Sequence, residues 1–288
     1  MADINIGTAD VVNNLTTVGT DVTPNAHIVP AKILWLLLIF VTPNVCRATI
    51  LVTNCSADRV VVGADGLSLH PEDTQHPTFK SCKIVQSGND CFFAISGLQN
   101  YKAINYDLVP LARRACRGPG SVTERANTFK KVALPEIQRA WINTRKNNPR
   151  TYALLKRYGP ARLSVVFAEG PPFTVIIVQF VEDSNGKMMP ENSIVDACNF
   201  ASHSVFRALG ERQNVEAYQR QHSEIENLDD VAFVRSLVLG AIELEGFPKV
   251  IGPPVAILEI TSSGARWIEQ GACAEIKHRS QANSHKQP

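Results

Sequence analysis

The chain has 288 residues, 44% of them hydrophobic and 19% charged, with a formal net charge of +2. That composition belongs to a globular protein long enough to bury a sizeable core, and it excludes a fibrous or compositionally disordered chain. The near balance of charge, with no long basic run and no basic patch interleaved with aromatics, speaks against nucleic acid as a partner.

Residues 1–28 are polar, rich in Thr and Asn, and not basic. Nine consecutive apolar residues follow Lys32, from Ile33 to Val41, before Thr42, Pro43 and Asn44. A helix that spans a bilayer needs about 20 apolar residues, so this run is too short. It has the length of a signal-peptide core, about 7–15 residues. Signal peptidase prefers small residues one and three positions before its cut. Ala48 and Cys46 meet that rule, so the expected cut lies between Ala48 and Thr49. Translation from near Val29 would make Lys32 the basic flank of such a leader. The competing reading is a buried helix or an uncleaved anchor.

Beyond the leader, Thr49 to Cys55 is β-rich, Ser56-Ala57-Asp58 turns the chain, and Arg59 to Ala64 carries three consecutive valines. Cys82 to Gln86 and Cys91 to Ser96 read as strands joined by the hairpin residues Ser87-Gly88-Asn89-Asp90. Ile104, Leu108, Leu111, Ala112 and Ala115 then fall at helical spacing, with Pro110 expected to kink or shorten the helix. Ser121 and Glu124 have capping-box spacing at the start of a helix expected to reach about Thr144. Strands return at Leu163 to Glu169 and Thr174 to Val181, followed by a turn at Asp183 to Gly186. Asp229 is the expected N-cap of a helix whose Val231, Val234, Val238, Ala241 and Ile242 share a face. Gly246 and Pro248 end it. Val255 to Ile260 and Ala265 to Glu269 form a last hairpin, and residues 277–288 are a polar tail expected to be disordered. Hairpins alternating with helices predict an α+β fold, a four-layer αββα sandwich of two facing sheets with helices outside. The expected organisation is a leader over residues 1–48 with its hydrophobic core at 33–41, one domain over 49–276, and the tail.

Seven cysteines are present, none in a Cys-x-x-Cys pair, and the histidines lack metal-ligand spacing, so no zinc site is expected. Removal of Cys46 with the leader leaves six. An even number in an exported chain permits disulfides, and the alternative is that most are small buried hydrophobes.

With these elements in place, the chain resembles a proteasome β-type subunit, an N-terminal-nucleophile (Ntn) hydrolase. The stretches that carry the resemblance are Thr49-Ile-Leu-Val, Val-Val-Val-Gly-Ala-Asp65-Gly, Lys83-Ile-Val and Phe-Phe-Ala-Ile-Ser-Gly97. Thr49 to Asp65 is sixteen residues and Lys83 to Gly97 fourteen, as in that family, with about two extra residues before the lysine. Gly252 to Gly264 resembles the family's closing strand and turn. The resemblance is strong over 49–97, fair over 229–270 and only architectural between.

What the resemblance implies is a threonine hydrolase that cleaves peptide or other amide bonds, with no metal or organic cofactor. Thr49 would attack, its own α-amine serving as base once the leader is gone. Lys83 would electrostatically favour the deprotonated forms, Asp65 would hold Lys83, and the Gly97 N–H would face the oxyanion. The resemblance also implies a possible homo-oligomer. The leader argument adds an exported destination, periplasmic or extracellular, with no stable membrane span after processing. Taken singly, Thr49 is an ordinary strand residue, Asp65 a turn residue, Lys83 a solvated strand residue and Gly97 a strand end; their joint spacing distinguishes them. The sequence departs from the family at Ala48, where a glycine precedes the nucleophile, and at Pro248 and Ile251, where the family has an aspartate and a serine. Glu211 stands in the serine position of the family's Gly-Ser-Gly turn. His203, Ser204 and Glu211 are the candidate replacements, and a non-catalytic protein on the same fold, or an amidase for small amides, remains an alternative.

Overall fold

The computed structural model describes residues 49–69, 78–87, 91–101, 104–156, 161–198, 204–245 and 251–274. In chain order, β1 (Ile50–Cys55) and β2 (Arg59–Ala64) pair antiparallel, β3 (Leu67–Leu69) pairs with β4 (Thr78–Lys80), and β5 (Ile84–Gln86) pairs with β6 (Cys91–Gly97). The small ladder β7 (Asn100–Tyr101) with β8 (Tyr106–Asp107) leads into α1 (Val109–Cys116), α2 (Val122–Asn147) and α3 (Pro149–Leu155). β9 (Ala161–Glu169), β10 (Thr174–Glu182), β11 (Met188–Pro190), β12 (Ile194–Ala197) and β13 (Val205–Gly210) follow. Then come α4 (Arg212–Gln221), a 3-10 turn over Ser223–Asn227, α5 (Asp230–Glu243), and the closing hairpin β14 (Ala256–Thr261) with β15 (Gly264–Glu269).

Two larger sheets result among the described residues. One has the strand order β13-β1-β2-β14-β15, and the other runs β11-β10-β9-β6-β5 with β12 also paired to β10. Their central strands are apolar on both faces, and the period-2 alternation sorts each side chain to a different core. Leu51, Val60, Val62, Ala256 and Leu258 of the first sheet pack with Phe92, Ala94, Val166, Val175 and Ile177 of the second. The intervening residues Ile50, Val52, Val61 and Ile257 instead meet Val215 of α4 and Phe233, Val234, Leu237, Val238 and Ala241 of α5. On the other sheet, Phe93, Ile95, Val165, Phe167, Ile176 and Phe180 meet Ala112 of α1 and Phe129, Ile137 and Trp141 of α2. The Phe129 ring sits edge-on to Phe167 and Phe180, at centroid distances of 5.4 and 6.3 Å. Full burial of one such ring contributes roughly 1.5–3 kcal/mol.

Local sequence signals set several boundaries. The Ser121 hydroxyl accepts the Glu124 N–H while the Glu124 carboxylate accepts the Ser121 N–H, so the expected capping box opens α2, which runs on to Asn147. The Asp229 carboxylate accepts from the Val231 and Ala232 N–H groups at the start of α5, also as expected. The helical spacing from Ile104 is only partly realised. Pro110 sits in the first turn of α1, where a missing N–H costs nothing, and Ile104 lies outside the helix.

The cysteines behave differently from the small-hydrophobe reading. Cys55 bonds Cys198, Cys82 bonds Cys273 and Cys91 bonds Cys116, so all six cysteines among the described residues are paired. The first bond joins the end of β1 to the segment after β12, and so one sheet to the other. The second ties the residue before Lys83 to the turn after β15, and the third ties the start of β6 to the end of α1. The leader expected over residues 1–48 and the tail expected at 277–288 lie outside the described residues.

Candidate active site

Strand β2 ends at Ala64, and the next side chain, Asp65, is surrounded by hydrogen-bond donors. Its Oδ1 accepts from the Ile50 N–H at 2.8 Å and from Lys83 Nζ at 2.6 Å. Its Oδ2 accepts from the Leu67 N–H at 3.2 Å and the Gly252 N–H at 3.3 Å. Asp65 and Lys83 are 1% and 2% exposed, so each ion depends on the other for the solvation it has lost. Burial pushes the Lys83 ammonium below its ordinary range, while the charge and hydrogen bond of Asp65 and the charge of Glu245 oppose that push.

Thr49 immediately precedes β1 and is almost fully buried. The next residue, Ile50, gives its N–H to Asp65, so a continuous path runs from Thr49 along one peptide to Asp65 and on to Lys83. The Thr49 carbonyl accepts the Glu211 N–H at 3.2 Å, and Ile50 pairs with Gly210 of β13. Gly210 has φ +77°, and a Cβ there would lie 1.7 Å from the Thr49 oxygen. Only glycine lets β13 pass so close behind Thr49. Gly210→Ala is therefore expected to cost at least about 1–3 kcal/mol of stability through backbone strain alone. Urea unfolding checks this, and an unchanged midpoint would contradict it.

Gly97 is the last residue of β6 and has φ +101°. Its neighbour Ser96 is buried, and the Ser96 hydroxyl lies 2.8 Å from that same Gly210 Cβ position. Gly97 thus stands one residue from the contact between β6 and the backbone around Thr49. All four residues singled out by spacing fall at this end of the two sheets.

The candidate replacements for the missing aspartate and serine fare unevenly. His203 and Pro248 lie outside the described residues. Ser204 is exposed, on the strand segment leading away from Thr49 along β13, which removes it as a buried relay. Glu211 immediately precedes α4, makes no side-chain cap to it, and touches Thr49 through its backbone N–H. Ile251 is fully buried, and its N–H goes to Glu245 Oε2 at 2.9 Å. Glu245, 5% exposed, and Ser96 escape sequence reasoning. An acidic residue just past a helix end ordinarily reads as solvated, and a serine inside an apolar strand as filler.

No known family model matches the chain, and no curated protein matches it. Among solved structures, the chain is similar to Thiobacillus denitrificans BPH in complex with epoxomicin, at 16% identity and a TM-score of 0.39. That match covers 74% of this chain and 98% of the other.

Proposed function

We propose that the chain is an exported Ntn hydrolase of the proteasome-like type, with Thr49 as its nucleophile and amide bonds as its substrates. The observation that carries this reading is the buried Asp65–Lys83 pair, hydrogen-bonded through Asp65 Oδ1 to the residue that follows Thr49. The two facing sheets with helices packed on their outer faces are read as a four-layer αββα sandwich, which puts the start of β1 at one end of the inter-sheet core.

In this reading leader removal makes Thr49 the first residue. Its α-amine, with an ordinary pKa of about 8, takes the hydroxyl proton as Oγ1 attacks the carbonyl carbon. The Lys83 ammonium stabilises the alkoxide character that develops at Oγ1, and Asp65 keeps Lys83 charged and aimed. The Gly97 N–H donates to the oxyanion, a contact worth about 3–4 kcal/mol in the transition state. Collapse expels the amine, which takes the proton from the α-amine. Water then hydrolyses the ester on Thr49 by the same route. Export is supported by three disulfides, since such bonds persist in oxidising compartments.

A second reading is a non-catalytic protein on the same fold. It is favoured by Ile251, whose apolar side chain stands where the family has a serine. Covalent labelling separates the two. The mature protein is expected to gain one β-lactone or epoxyketone adduct at Thr49, and an unlabelled mature protein would favour the second reading. Turnover of peptides against small amides then distinguishes a peptidase from an amidase.

A further inference from the structure

We propose that Glu245 is a positioning residue of this site, replacing the polar support that Pro248 and Ile251 do not supply. The proposal rests on the reading of Thr49, Asp65 and Lys83 given above, and it concerns a residue outside the motifs that suggested that reading.

Two observations converge on Glu245. The first is a relay of hydrogen bonds. Glu245 Oε2 accepts the Ile251 N–H at 2.9 Å. The next residue, Gly252, donates its N–H to Asp65 Oδ2 at 3.3 Å and accepts the Gly66 N–H at 2.9 Å. Asp65 in turn holds Lys83 Nζ. One buried carboxylate just beyond α5 thereby fixes the segment that helps to orient the other. The second observation is electrostatic. The charge of Glu245 favours the Lys83 ammonium, adding to the larger effect of Asp65. Among the described residues, Asp65, at the junction of β2 and β3, and Glu245, just beyond the end of α5, are the carboxylates whose charge favours the Lys83 ammonium. The amine of a processed Thr49 and the side chain of Glu211, whose N–H bonds the Thr49 carbonyl, are the other titratable groups beside the start of β1.

Burying a second carboxylate carries a large desolvation penalty unless the protein solvates it well. A residue that served only to end α5 has no need to be an acid there. Bonded to the backbone next to Gly252, with a charge that favours the Lys83 ammonium, the acid has two tasks. It sets the position of the Gly252 N–H that donates to Asp65, and it favours the protonated form of Lys83.

The test reads Lys83 itself. Mature protein labelled with [ε-13C]lysine is titrated by NMR, the Lys83 resonance being the one that vanishes in Lys83→Arg. Glu245→Gln keeps an oxygen for the Ile251 N–H and removes the charge. It is expected to lower the Lys83 midpoint by about one pH unit, tenfold in proton affinity. Glu245→Asp, which keeps the charge, is expected to restore part of that shift. A Lys83 midpoint unmoved in folded Glu245→Gln overturns the proposal. Should that variant not fold, Glu245→Asp decides in its place: its shorter side chain is expected to shift the Gly252 amide resonance and to lower the Lys83 midpoint, and a variant in which neither moves overturns the proposal. Because the resonances are read without turnover, an inactive wild-type protein would count against the hydrolase reading and leave this result standing.

Discussion

Thr49→Ala is expected to remove covalent labelling completely and to lower amide hydrolysis by roughly a thousandfold or more, while leaving the melting transition nearly unchanged. The size follows from the chemistry. Without Oγ1 no acyl-enzyme forms, and what remains is whatever the oxyanion donor and substrate binding do for water attack. The fold should tolerate the change, because Thr49 is tied to its surroundings by its backbone. Its carbonyl accepts from Glu211, and the following N–H bonds to Asp65, contacts that alanine keeps. Thr49→Ser keeps a hydroxyl and the α-amine, so it should retain labelling at a reduced rate. Intact-mass analysis after incubation with a β-lactone, combined with urea unfolding, checks both halves. An adduct on Thr49→Ala would move the nucleophile elsewhere.

The largest stability effect is expected at Asp65. Asp65→Ala strands a buried ammonium and deprives the Ile50, Leu67 and Gly252 N–H groups of their acceptor. Breaking a buried pair by removing one partner typically costs about 3–5 kcal/mol. Adding Lys83→Met removes the stranded charge, so the double variant should be more stable than Asp65→Ala alone. The deficit should also depend on pH. In the folded chain Lys83 already titrates below its ordinary 10.5 because of burial, and losing Asp65 lowers it further. Between the folded value and 10.5 the unfolded chain binds the extra proton, so stability rises with pH across that window. Asp65→Ala should therefore recover part of its loss as pH climbs toward 10.5. Urea unfolding of the four proteins in the double-mutant cycle at several pH values measures this. Additive single effects with no pH trend would contradict the pairing.

The parts of the fold that were legible share one property: a physical requirement met within a few residues. The Val60-Val61-Val62 run reads as a buried strand because both faces of β2 meet a core. Ser121 with Glu124, and Asp229 with its two bonded N–H groups, show helix starts because a cap is a local device. The spacing from Thr49 to Asp65 is legible because β1, its turn and β2 form one hairpin of fixed length. By contrast β3, β4, β11 and β12 are three or four residues long, too short for a period to register. Helix α4 buries Val215 alone, so its sequence carries almost no apolar face. The pairing of Cys82 with Cys273 spans 191 positions, and no local pattern encodes such a partner. Glu245 belongs with these. Its link to Asp65 runs through the backbone of Ile251 and Gly252, and no local pattern encodes it.

The central claim is that processing gives one residue both the attacking hydroxyl and the amine that accepts its proton. Edman degradation of the protein recovered outside the cytosol tests it most directly. Threonine in the first cycle, followed by isoleucine and leucine, is the predicted result. Any other first residue, or a blocked terminus, would leave Thr49 without its base and contradict the account.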